Sequence, residues 1–174
     1  MLDTADYIAL SILLPLIGTI MIWMSGPRPN QREVVTVITA TLTFVCVLQV
    51  LPPVMAGETP TLTVLQVLPG LPLEFVVEPL GMMFALIASF LWIITSFYAI
   101  GYMRGHNEPN QTRFYMCFAI AISSALAVAF SGNMLTLFVA YEVLTLSTYP
   151  LVTHNQNEEA KRAGRVYLGI LMST

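Results

Sequence analysis

Charge is what this chain has least of. Only 10% of its 174 residues are Asp, Glu, Lys or Arg, where a soluble domain carries about a quarter. With 56% hydrophobic residues, that deficit excludes a surface solvated on all sides and marks a membrane protein. Lysine is almost missing, Lys161 being the sole one among seven basic residues. Those seven form no dense cluster, so nucleic acid is not an expected partner. Cysteine is scarce too. Cys46 and Cys117 lie in separate apolar runs without paired spacing, which excludes a disulfide framework and a metal knuckle; both read as small buried side chains. The start, MLDTADYIAL, has Asp3 and Asp6 where a secretory signal carries Lys or Arg, and no small-residue cleavage site follows, so the first apolar run is expected to be retained. Flavin, haem, iron–sulfur and nucleotide motifs are absent, hence no cofactor is expected and any redox chemistry would belong to partners.

What is present is a series of apolar runs. A helix needs about 20 residues to cross roughly 30 Å of hydrocarbon, and five runs reach that scale: 7–24, 34–51, 79–103, 114–130 and 134–152. A sixth, 163–174, is incomplete. The separators 25-SGPRPNQRE-33, 104-RGHNEPNQTR-113 and 131-SGN-133 are polar and rich in turn residues, and Asn133 is placed to cap the helix after it. The stretch 52–78, with five prolines and two glycines, is expected as an external loop with room for a short strand near 61-TLTVLQVL-68. Ala121, Ala125 and Ala129 at four-residue spacing, beside Ser123 and Ser124, suit close helix packing in lipid.

Alternation of the runs sends Arg28, Arg32, Arg104, Arg113, Lys161, Arg162 and Arg165 to one side. Asp3, Asp6, Glu58, Glu74 and Glu78 fall on the other with no Lys or Arg, which is the positive-inside pattern. The expected fold is therefore all-α, a polytopic transmembrane bundle of five complete spans plus the start of a sixth. Its N-terminus is expected outside and its location in the cell inner membrane.

One carboxylate breaks the apolar pattern. Glu142 is the ninth residue of the run 134–152, about 12 Å along the helix and so near the bilayer midplane. An ionised acid at that depth costs at least about 2.5 to 3.5 kcal/mol, so it is expected to face protein or a water-filled cavity. Thr145 at i+3 and Tyr149 at i+7 share its side, with Thr148 nearby, making a polar stripe toward the basic end. A carboxyl deprived of water favours its neutral form, and a cation brought close releases the proton. Glu142 is thus a candidate proton site. The bland alternative is a hydrogen bond that merely holds two helices together. His106 and His154 read as solvated loop residues, and 157-NEEAKRAGRV-166 as a solvated helix start.

These residues carry a resemblance. The block 131-SGNMLTLFVAYEVLTLSTYPLV-152 resembles the fifth-helix signature of antiporter-like membrane subunits: a short loop with Asn, an aromatic residue before Glu, then Leu, Ser or Thr, and Tyr. The segment 76-VVEPLGMMFALIASFLWIITSFYAIGYM-103 looks like the third helix of the same family. The superfamily includes Mrp-type monovalent cation/proton antiporter subunits and the proton-pumping subunits of respiratory complex I and membrane-bound hydrogenases. The similarity is strongest to the D-type member of the Mrp group, on YEVLTLSTYPLV and the following HNQNEEAKRAGRVYL. The IGYM ending of the third helix is also similar to the largest antiporter-like subunit of complex I.

The resemblance implies that Glu142 matches an essential membrane glutamate, which pairs with a lysine on a later helix to pass protons. It also implies work inside a multi-subunit complex, with other membrane subunits, the lipid bilayer, protons and sodium as partners. Family members continue through two inverted repeats of five helices, whereas this sequence stops at the start of its sixth. Lys161, at the inner surface, cannot be the partner lysine. The expectation is a partly represented subunit, with an interfacial amphipathic helix as the second reading of the last segment. The expected function is proton/monovalent cation translocation. The alternatives are a proton-pumping subunit of a complex I-like dehydrogenase or hydrogenase, a non-transporting assembly scaffold, and a small self-contained channel.

Overall fold

The computed structural model describes residues 3–106, 110–153 and 158–173. His154 and the side chain of Lys161 lie outside the described residues. Helix α1 spans Thr4–Met24, and its start is set by the acidic residues of the N-terminus. Asp3 accepts from the Thr4 amide at 2.8 Å while the Asp6 carboxylate accepts from the Asp3 amide at 2.9 Å, a reciprocal cap.

Helix α2 spans Pro29–Met55, starting five residues before the apolar run 34–51 and ending four beyond it. Proline in the first turn suits a helix start, because its missing N–H would be unpaired there anyway. The polar residues 29–33, read from sequence as loop, are therefore helical. The buried face of α2 begins among them: Arg32, Thr36, Thr39, Ala40, Thr43, Val47 and Val50 recur at helical spacing.

The connecting stretch 52–78, read with room for a short strand near 61–68, holds a hairpin whose first strand falls there. Strands β1, Thr61–Leu68, and β2, Leu71–Val76, pair antiparallel with Thr61 opposite Val76 and Leu68 opposite Leu71. Pro69 and Gly70 make the turn between them. Gly70 has φ +83°, the left-handed conformation a Pro-Gly turn of type II requires at its third position. Helices α3 (Pro79–Gly105), α4 (Gln111–Ala129), α5 (Met134–Val152) and α6 (Glu158–Ser173) follow.

Five helices, α1 to α5, are long and apolar enough to cross a membrane, and the architecture is an all-helical polytopic bundle with one added β-hairpin. Helices α1 to α4 form a four-helix unit, α1 lying against α2 and α4, and α3 against α2 and α4. Helix α5 is added outside it, held by α4, by β2 and by α6. Two core clusters fill the unit. The cluster under the hairpin is built from Ile8, Val47, Val50, Phe75, Val77 and Phe130 among others. The cluster toward the basic end holds Ile22, Ala40, Trp92, Ala99, Tyr115 and Ala119.

The buried residues of α4 are Tyr115, Ala119, Ser123, Ser124, Leu126 and Ala127, whereas Ala121, Ala125 and Ala129 are only half-buried. Small size alone did not select the contact face. Ser123 did so with a cross-helix bond, its hydroxyl donating to the Ile12 carbonyl at 2.6 Å.

Candidate proton site on the fifth helix

Helix α5 is fixed at its N-terminal end before the carboxylate is reached. Asn133 caps it: its side-chain oxygen accepts from the Thr136 amide at 2.9 Å and from the Thr136 hydroxyl at 3.0 Å. The Asn133 amide group donates to the Pro72 carbonyl at 2.7 Å, and the Thr136 hydroxyl accepts from the Glu74 amide at 2.9 Å. Backbone bonds from Gly132 to the Glu74 carbonyl, 2.9 Å, and from Val76 to the Phe130 carbonyl, 2.7 Å, complete the clamp. A Cβ on Gly132 would stand 2.6 Å from a Val76 methyl, so glycine is what lets the hairpin approach. Asn133→Ala removes the cap and one link to β2 together. It is expected to destabilise by about 1 to 2 kcal/mol, read from thermal unfolding of the purified protein.

Glu142 stands about 12 Å along α5 from this clamp. It is half-buried, and it makes no hydrogen bond or ion pair among the described residues. Buried Thr136, Ala140 and Ser147 fall on one side of the helix. At 3.6 residues per turn, Glu142, Thr145 and Tyr149 cluster within about 60° on the opposite side. The carboxylate is thus directed away from the core that Ala140 joins.

The three stripe residues meet different fates. Thr145 is buried, and its carbonyl accepts from the Thr148 hydroxyl at 2.9 Å. Thr148 Oγ1 also lies 3.1 Å from the Tyr167 hydroxyl of α6. The Tyr149 ring packs where Gly164 of α6 leaves room: a Cβ there would meet the ring at 2.9 Å and overlap the Thr153 methyl. So α6 packs on the part of the stripe formed by Thr148 and Tyr149, and none of its described side chains bonds Glu142. Tyr167 and Gly164 were missed by sequence reasoning, because 157–166 reads as solvated. The small residue Gly164 three positions before Tyr167 was the available signal for a packed face. Gly164→Val should push α6 off α5 and break the Thr148–Tyr167 contact, with amide exchange across 158–173 speeding at least tenfold while that of α1 to α4 is unchanged.

A second polar cluster, also missed, lies at the basic end. Arg32 and Glu33, read as loop residues, are 4% and 5% exposed. Arg32 donates to the Thr112 hydroxyl at 3.1 Å and to Gln111 Oε1 at 2.7 Å, and its guanidinium lies 5.3 Å over the Tyr115 ring. Arg104 clasps Glu33 with two bonds, Nε to Oε1 at 2.9 Å and Nη2 to Oε2. Arg32 Nη2 is 3.9 Å from Glu33 Oε1. His106, at the end of α3, is exposed and stacks on Tyr102 with ring centroids 4.4 Å apart.

Known proteins match part or most of this framework. Residues 70–115, from β2 to the start of α4, match the family model described as NADH-ubiquinone oxidoreductase (complex I), chain 5 N-terminus. Antiporter subunit mnhA2 of Staphylococcus haemolyticus is 28% identical over 94 residues, 54% of this chain and 12% of that protein. Its counterpart in Staphylococcus aureus strain JH9 is 26% identical over the same shares. The chain therefore spans about an eighth of the length of these relatives.

A solved structure of the membrane-bound sulfane sulfur reductase, an archaeal respiratory membrane complex, matches 82% of this chain and 22% of its own at TM-score 0.69 and 17% identity, a likeness of fold. Over these shares the chain is similar in sequence to antiporter and complex I membrane subunits, and in fold to a subunit of a respiratory membrane complex.

Proposed function

We propose that this chain moves protons in exchange for a monovalent cation as part of a multi-subunit membrane complex, with Glu142 as its proton site. The observation that carries the reading is the state of that carboxylate. It sits mid-span on a helix added to the outside of the four-helix unit, half-buried and without a hydrogen-bond partner among the described residues. A carboxylate there is costly unless it faces water, a cation or another protein group. Its side of α5 is turned from the chain's own core, so the complementary group is expected from elsewhere in the complex. The hairpin clamp and α6 hold the two ends of α5, and Thr145, Thr148 and Tyr149 lead toward the basic end.

A second reading, a proton-pumping subunit of a complex I-like assembly, is favoured by the family model over 70–115 and by the respiratory-complex fold match. Within the antiporter class, the YEVLTLSTYPLV block favours a D-type Mrp protein, while the curated relatives that match carry the A2 designation. The test is the natural complex in proteoliposomes containing a pH dye. Proton release on a sodium or potassium pulse supports exchange, and proton movement on addition of reductant and quinone alone supports the pump. Neither response, from an intact complex, refutes both readings and leaves a scaffold.

A further inference from the structure

A groove of about 360 Å³ runs down the outside of the bundle between α2 and α3, starting at the basic end. Its mouth is polar, formed by Asn30, Glu33 and Arg104, and its floor and walls are Val34, Val37, Ile38, Phe97 and Ile100. Val34, Ile38 and Phe97 are 56%, 53% and 60% exposed, so none of the described residues covers it. We propose that this groove binds an anionic diacyl phospholipid, the phosphate against Arg104 and one acyl chain along the apolar walls.

Charge selects the occupant. Arg32 and Arg104 share the single carboxylate of Glu33, which leaves one positive charge in the cluster. Arg32 is sealed in by Gln111, Thr112 and Tyr115, so the excess is presented by Arg104, whose side chain is 50% exposed. Nε and Nη2 of Arg104 are committed to Glu33 and Asn30, which locks the guanidinium plane. Its Nη1 makes no bond among the described residues and has two N–H donors left for an anion. Basic pockets between membrane helices at the cytoplasmic side are suited to acidic headgroups.

Length agrees. From Asn30 to Ile38 α2 rises about 12 Å, close to the roughly 15 Å of hydrocarbon in one leaflet. All polar lining is at the mouth and all apolar lining below it, the layout of one lipid. A partner helix would place no fixed demand for an anion at that end.

The proposal is independent of the role given to Glu142. The experiment is native mass spectrometry of the purified natural complex, delipidated and titrated with phosphatidylglycerol or phosphatidylcholine. Phosphatidylglycerol should be retained about fivefold better, the share of one arginine near an anionic group. Val34→Trp, which fills the groove without touching the ion cluster, should abolish the excess, as should Ile38→Trp; Arg104→Gln should bring the two lipids to parity. Equal retention by the unmodified complex, or an excess untouched by both tryptophan variants, overturns the proposal. So does a photocrosslinker at position 97 that captures a neighbouring protein instead of lipid.

Discussion

Glu33→Ala is expected to be the most destabilising single substitution at the basic end, costing about 3 kcal/mol. Glu33 is 5% exposed and is the carboxylate that two guanidinium groups share. Removing it leaves Arg32, itself 4% exposed, as a buried cation whose other acceptors, Gln111 and Thr112, are neutral. Breaking a buried pair by deleting one partner costs about 3 to 5 kcal/mol. The lower end applies because Arg104 reaches the surface and can turn toward headgroups. Glu33→Gln retains an acceptor for Arg104 Nε and should lose about half as much. The measurement is the unfolding midpoint in detergent or nanodiscs. Equal stability of both variants and the parent would mean that the cluster does not tie α2 to α3.

Glu142→Gln should cut coupled proton movement about a hundredfold or more, the contribution of a positioned acid–base group, with assembly of the complex intact. Folding is spared because Glu142 makes no bond to lose among the described residues and is only half-buried, and such positions change stability by about 0.5 kcal/mol or less. The carboxamide has the same shape but cannot exchange a proton at any accessible pH. Glu142→Asp keeps the proton and withdraws it by one methylene, so its flux should fall between the two. Flux by proteoliposomes and native electrophoresis of the same samples decide the matter. An assembled Gln variant with unimpaired flux would remove Glu142 from the proton path.

Several features were readable along the chain. Five long apolar segments and the gathering of basic residues at alternate connections follow from hydrophobicity and charge, properties each residue carries alone. Asn133 as a cap was readable too, since a cap and its target are three residues apart. The lone carboxylate in the 134–152 run needs no coordinates to be noticed. Less was readable at the ends of helices. The polar stretch 29–33 looked like loop because water-seeking residues precede the apolar run. Its Arg32-Thr36-Thr39-Thr43 spacing already had the period of a buried helix face.

Composition and local pattern alone give the all-helical class, the five long apolar helices and the placing of one acid, Glu142, in the middle of an apolar helix, because those depend on residues near one another along the chain. Tertiary packing sets the rest: α5 stands outside a four-helix unit, β2 clamps its start, α6 meets Thr148 and Tyr149 while none of its described side chains bonds Glu142, and Arg32 and Glu33 are buried. Each of these except the α6 contact joins residues far apart: Asn133 and Pro72 are 61 positions apart, Glu33 and Arg104 71, Arg32 and Thr112 80, Ser123 and Ile12 111. A polar side chain is solvated or buried according to what packs over it, and in a helix bundle that neighbour comes from a distant turn of the chain.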